Sequence, residues 1–165
     1  LSNKTLRQSI IKSRNRLTLI GHDSGVKSAV YSPDGKRIVT ASQDRTAKIW
    51  DAKTGQVVLT LIGHTRPVAS AVYSRNGRQI LTASKDKTAK IWDAETGQEL
   101  ITLTGHDDGV SSVAYSPDGR RIVIGSWDQT VRLYTTDIEE LLTIAKSRAT
   151  RQLTAKEKER YGVLD

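Results

Sequence analysis

The chain contains no cysteine and no methionine, only 5% of it is aromatic, and none of it is apolar for long. Without cysteine there is no disulfide and no thiolate metal site, although that does not fix a compartment. No apolar run approaches the roughly 18 residues of a membrane-spanning helix, and no secretory leader pattern opens the chain. No glycine-rich phosphate loop carrying a lysine occurs, which excludes a P-loop nucleotidase within these residues. Starting at Leu1 with no methionine anywhere, the chain is expected to be a fragment or a processed product.

Of the 165 residues, 36% are hydrophobic and 27% charged, a balance that can both dissolve and bury a core. The net charge of +8 is unevenly placed. Residues 1–20 carry Lys4, Arg7, Lys12, Arg14 and Arg16 and no acid, whereas 135–165 hold six bases and six acids. The basicity is therefore mostly an N-terminal arm.

Between the ends the chain repeats itself. Residues 21–62 and 63–104 agree at 26 of 42 positions, and a third, less faithful copy runs over 105–134. A fixed period of this size marks a repeat architecture, in which one unit is too small to bury its own apolar faces. Each copy alternates short Val-, Ile-, Thr- and Tyr-rich runs with turn residues. In the first copy these are VKSAVYS, PDG, KRIVTAS, QD, RTAKIWD, KTG and QVVLTLI. Pro33-Asp34-Gly35, Arg75-Asn76-Gly77 and Pro117-Asp118-Gly119 fit the first turn, and Thr54-Gly55 and Thr96-Gly97 the last. The pattern predicts a four-stranded antiparallel meander that must stack on copies of itself, as a propeller blade does.

Gly21-His22 with Trp50-Asp51, then Gly63-His64 with Trp92-Asp93, then Gly105-His106, mark the period at both ends. These residues resemble the WD-repeat β-propeller family over 16–134. The resemblance implies an all-β fold of three four-stranded blades, an incomplete propeller. It also implies that the matched residues His22, Thr40, Asp44, Trp50 and His64, Thr82, Asp86, Trp92 form buried hydrogen-bonded chains. A hydroxyl, an imidazole and a carboxylate can also make a nucleophilic triad, but an enzyme has no use for the same triad in adjacent blades. A buried Trp and a buried Asp, by contrast, each need a polar partner. Three histidines spaced 42 residues apart would lie one per blade, so they are not expected to share a metal. The third copy keeps His106 and Asp128 but has Ile124 for the Thr and Tyr134 for the Trp, so its chain is expected to be incomplete.

Trp127, aligned with Gln43 and Lys85 in the turn after the second strand, is a possible partner-binding residue. Arg45, Lys85 and Lys87 in the equivalent turns accompany it. The simpler reading of Trp127 is packing on a neighbouring loop. At the C-terminus, residues 135–165 change to a helical period, with capping-box spacings at Thr136/Glu139 and Thr154/Glu157. This helical tail and the arm, residues 1–15, resemble the flanks of WD-repeat regions in bacterial multidomain signalling proteins. The arm's charges alternate with aliphatic residues and meet no aromatic before Tyr31, which favours a linker helix over a nucleic-acid contact.

The expected function is a non-catalytic, cytoplasmic scaffold for a protein or peptide, with no cofactor and no membrane partner. The alternative is a sensor segment of a larger signal-transduction NTPase or kinase-like protein. After Tyr134 no fourth strand follows, while residues 16–20, RLTLI, align with VLTLI and LITLT, the outer strands before the next two Gly-His pairs. Three blades do not close a ring of the usual four to eight. Either two chains form a homodimer of six blades, each lending residues 16–20 to the other, or the missing blades belong to a longer chain.

Overall fold

The structure, a computed structural model, describes residues 17–136. The arm, residues 1–15, and the helical tail expected over 135–165 lie outside the described residues, save Thr135 and Thr136, the first of which ends a strand rather than starting a helix. Eleven strands follow one another: β1 (Val26–Tyr31), β2 (Arg37–Ser42), β3 (Ala47–Asp51), β4 (Val57–Leu61), β5 (Val68–Tyr73), β6 (Gln79–Ser84), β7 (Ala89–Asp93), β8 (Glu99–Leu103), β9 (Val110–Tyr115), β10 (Arg121–Ser126) and β11 (Val131–Thr135). They form sheets in the orders β1-β2-β3-β4, β5-β6-β7-β8 and β9-β10-β11, all antiparallel. The first two blades have the four strands expected. The third has three strands among the described residues, one fewer than the four-stranded blade expected.

The turns explain why each meander closes where it does. Asp34 accepts from the Ser32 hydroxyl at 2.6 Å and the Lys36 N–H at 3.0 Å, while Gly35 takes φ +70°. Asn76 does the same work in blade two, so the loss of proline and of charge there leaves the turn intact. At the β3–β4 turn the Asp51 carboxylate gathers the N–H groups of Lys53 and Thr54 at 2.9 and 2.7 Å, and Asp93 repeats this. Even the irregularities recur: the inner strands β1, β5 and β9 each carry a bulge at their N-terminal end.

The sheets have apolar residues on both faces and bury them against one another. Val39, Ala41, Ala47 and Ile49 of blade one meet Val68, Ala71 and Tyr73 of blade two in one core. Leu81, Ala83, Ala89 and Ile91 of blade two meet Val110, Val113, Ile122 and Ile124 in a second. At about 25 cal/mol per Å² of apolar surface removed from water, such faces supply the stability that a lone four-stranded sheet lacks. Polar ties cross the same seams. Arg37 donates to the Ala94 carbonyl at 3.1 Å and pairs with Glu95, and the Ala71 N–H donates to Ser28.

Candidate functional site

Strand direction places two kinds of connection at the same end of every blade: the β2–β3 type turn and the loop that carries Gly-His. Asp44 sits in the first and His22 in the second, so their side chains meet although 22 residues separate them. His22 Nδ1 lies 2.6 Å from the Asp44 carboxylate, and its Nε2 lies 2.6 Å from the Thr40 hydroxyl. The Trp50 indole N–H donates to that hydroxyl at 2.8 Å. Blade two repeats the chain, with 2.7 Å from His64 to Asp86, 2.8 Å from His64 to Thr82 and 2.9 Å from Trp92 to Thr82. In blades one and two the glycine before the histidine belongs to the same construction. A Cβ on Gly63 would stand 3.0 Å from Cη2 of Trp92, so any side chain there would push against the indole.

Proton counting fixes the direction of the chain. The carboxylate accepts from Nδ1–H of the imidazole, which leaves Nε2 to accept from the threonine hydroxyl, which in turn accepts from the indole. A neutral histidine satisfies every link. Burial lowers the pKa of His64 below the ordinary histidine value, against the opposing pull of Asp86. Burial alone would raise the carboxyl of Asp44, but donors from Thr46, His22 and Asp23 outweigh it and hold the group far below its usual range. Asp86 is lowered in the same way, by Thr88, His64 and Thr65. The threonines two residues after each aspartate (Thr46, Thr88 and Thr130) are contributors the sequence reading passed over. Their identity in all three copies, at the same 42-residue spacing, was the available signal.

This arrangement is a tie rather than a reaction centre. Thr82 is fully buried, one of its lone pairs is held by Trp92, and its hydroxyl points at His64, so no substrate carbonyl can approach it. No three His, Cys, Asp or Glu side chains among the described residues converge as a metal site would need.

Blade three breaks the chain at one link. His106 Nδ1 still meets Asp128 at 2.7 Å, and Asp128 still collects Thr130 and Asp107. Its carboxyl is held well below the ordinary range, most of all by the Thr130 hydroxyl. Ile124, fully buried, offers nothing to the other ring nitrogen, and His106 Nε2 is buried without a partner among the described residues. Tyr134 does not take the place of the indole; its hydroxyl donates to the Thr104 carbonyl at 3.3 Å.

The four residues considered for partner binding fall along the same end. Trp127 is 60% exposed, and the Lys85 ammonium stands 4.9 Å above its ring. Lys87 reaches from blade two to the Asp107 carbonyl of blade three at 2.7 Å. Lys85, Lys87 and Trp127 thus share one rim, with Arg45 one blade away. Arg45, Lys87 and Gln129 also hold the left-handed position of their turns, at φ 71°, 73° and 68°. At the opposite end, a cleft of about 660 Å³ between blades two and three is lined by Arg75, Arg78, Tyr115 and Asp118. Among the described residues the Tyr115 hydroxyl has no partner, nor has that of Tyr73, whose pKa burial pushes up to about 12.

Meanders stacked face to face, two of them locked by a complete Trp–Thr–His–Asp chain, define a β-propeller-blade protein. The particular family follows from comparison. The family model "WD domain, G-beta repeat" matches residues 13–51, 55–93 and 97–135, more than two thirds of the chain, and the chain belongs to that family. Its repeat unit is out of phase with the blades, since 55–93 joins β4 of blade one to β5, β6 and β7 of blade two. The chain is 39% identical over 59 residues to nuclear distribution protein nudF 2 of Talaromyces marneffei, an overlap of 34% of this chain and 13% of that protein. It is 50% identical over 38 residues to vegetative incompatibility protein HET-E-1 of Podospora anserina, covering 23% of this chain and 3% of that one. Periodic tryptophan protein 2 of Saccharomyces cerevisiae matches at 51% over 35 residues, 21% of this chain and 4% of that one. The chain thus spans at most about an eighth of the length of these relatives.

Proposed function

We infer that the chain is a non-catalytic interaction module that presents the Trp127 rim to a protein or peptide. The observation behind this is the division of labour at one end of the blades. The His, Thr and Asp groups of blades one and two are tied to one another inside the structure, while a largely exposed indole carries the Lys85 ammonium over its ring. Tryptophan is among the residues most enriched at the energetic centres of protein interfaces. Membership in the WD-repeat family agrees with a binding role, and no helix among the described residues is long and apolar enough to cross a membrane. The alternative role, a regulatory segment of a larger NTPase or kinase-like signalling protein, rests on the two ends, which lie outside the described residues.

The test compares proteins retained from cell extract by the immobilised chain and by Trp127→Ala and Lys87→Ala variants of equal melting temperature. A partner held by the parent chain and weakened at least roughly tenfold by Trp127→Ala supports the rim. Retention that is indifferent to both substitutions moves the binding surface elsewhere.

A further inference from the structure

The two ends of the array are copies of surfaces that its interior buries. Val26 and Tyr31 of β1 are 52% and 64% exposed, whereas their equivalents one repeat later, Val68 and Tyr73, are 0% and 9%. At the other end, Val131 and Leu133 of β11 are 63% and 65% exposed, whereas Ala47 and Ile49 are 1% and 0%. Val123 is also exposed, and its counterparts Val39 and Leu81 are fully buried. Blade one therefore shows the face that blades two and three turn toward the blade before them. Blade three shows the face that blades one and two turn toward the blade after them.

Residues 17–20 extend the match from the faces to the edges. Leu17 lies against Gly55 of blade one, as Leu59 and Leu61 lie against Gly97 of blade two. In blade two's case those leucines belong to β4, the outer strand of the preceding blade. Leu17 thus takes, against Gly55, the place that β4 residues take against Gly97, although residues 17–20 pair in no sheet among the described residues, and β11 is the edge of a sheet one strand short among them.

We propose that a second copy of this chain docks blade one onto blade three, and reciprocally, so that two chains close a ring of six blades. The occupant is a second copy because the required surface is a WD-type blade face with Val, Ala and Tyr at the inner-strand positions. Blade one carries that set at Val26, Ala29 and Tyr31, matching Val68, Ala71 and Tyr73. A head-to-tail contact with a fixed rotation either closes or grows without limit, and six blades fall within the four to eight of known propellers. The register follows from the repeat. Ile49 pairs with Leu59 and Ala47 with Leu61, so Leu133 is to pair with Leu17, and Val131 with Leu19, of the second copy.

Light scattering coupled to size exclusion on the full chain reads the assembly, with twice the 18.2 kDa chain mass expected. Leu133→Asp places a carboxylate in both seams and should raise the dissociation constant at least roughly 100-fold. Because the chain has no cysteine, a Leu17→Cys/Leu133→Cys double variant supplies a second reading that does not depend on a tolerated charge. Paired strand residues stand close enough for a disulfide, so mild oxidation should give a covalent dimer, and neither single variant should. A folded monomer at micromolar concentration overturns the proposal, because another cover then hides the faces. So does an assembly larger than two chains, or a dimer that the double variant fails to cross-link.

Discussion

Replacing His64 and His106 by alanine, one at a time, is the sharpest test of what the buried chain contributes. Both substitutions remove an imidazole of the same size from the same place in a blade, so the cavity terms nearly cancel. Both also remove one contact to an aspartate, at 2.7 Å in each case. What differs is the other ring nitrogen. His64 Nε2 bonds the Thr82 hydroxyl at 2.8 Å, and without it that buried hydroxyl can turn only to the Lys90 carbonyl at 3.4 Å. A hydrogen bond of this kind is worth about 1 kcal/mol net. On the other side, His106→Ala abolishes a nitrogen that is buried with no partner among the described residues, which recovers part of a penalty of about 1–3 kcal/mol. His64→Ala is therefore expected to cost about 2 kcal/mol more than His106→Ala, or roughly 5 °C in Tm. Urea melts at one fixed protein concentration, followed by the fluorescence of the buried Trp50 and Trp92, measure the difference. Equal losses, or a larger loss at His106, would refute the reasoning, because the Thr82 link would then carry no energy.

Ile124→Thr gives His106 Nε2 the missing hydroxyl, whereas Ile122→Thr, one turn of the pleat away, buries a hydroxyl with no such partner. The first is expected to be the milder by about 1–2 kcal/mol in denaturant melts, despite equal loss of apolar volume. Stability should fall on acidification in two stages. His64 has a folded pKa below its ordinary 6.5, so the unfolded chain binds more protons and stability declines as pH drops below about 6.5. Asp44 and Asp86, both depressed below 3.8, retain their contribution above that value and lose it as pH falls further, which thermal melts from pH 7 to 2 would reveal. Arg45→Gly relieves a left-handed backbone and should change stability by less than about 1 kcal/mol, while Arg45→Val should lower it by about 1–2 kcal/mol. Similar melts for the two variants would remove the strain argument.

Much of this molecule was legible in its one-dimensional pattern. The 42-residue period, the Asp-Gly and Asn-Gly turns and the strand-length apolar runs define the meander, because hairpin geometry and alternation are local properties. Even the faulty link in blade three could be read from Ile124, since a residue with no polar atom cannot pass on a hydrogen bond. Other features depended on chain paths that local pattern does not encode. Sequence spacing did not show that Lys85 of one blade would lie over Trp127 of the next, nor that Lys87 would reach Asp107, because both contacts cross a seam between blades. The same holds for Val26 and Val68, which share most of their local sequence, and for Ile49 and Leu133, which hold the same repeat position, yet one of each pair is buried and the other exposed. Burial belongs to the pair of faces that meet. A residue's neighbours along the chain decide its strand and its side, and only the stacking of blades decides whether anything covers it.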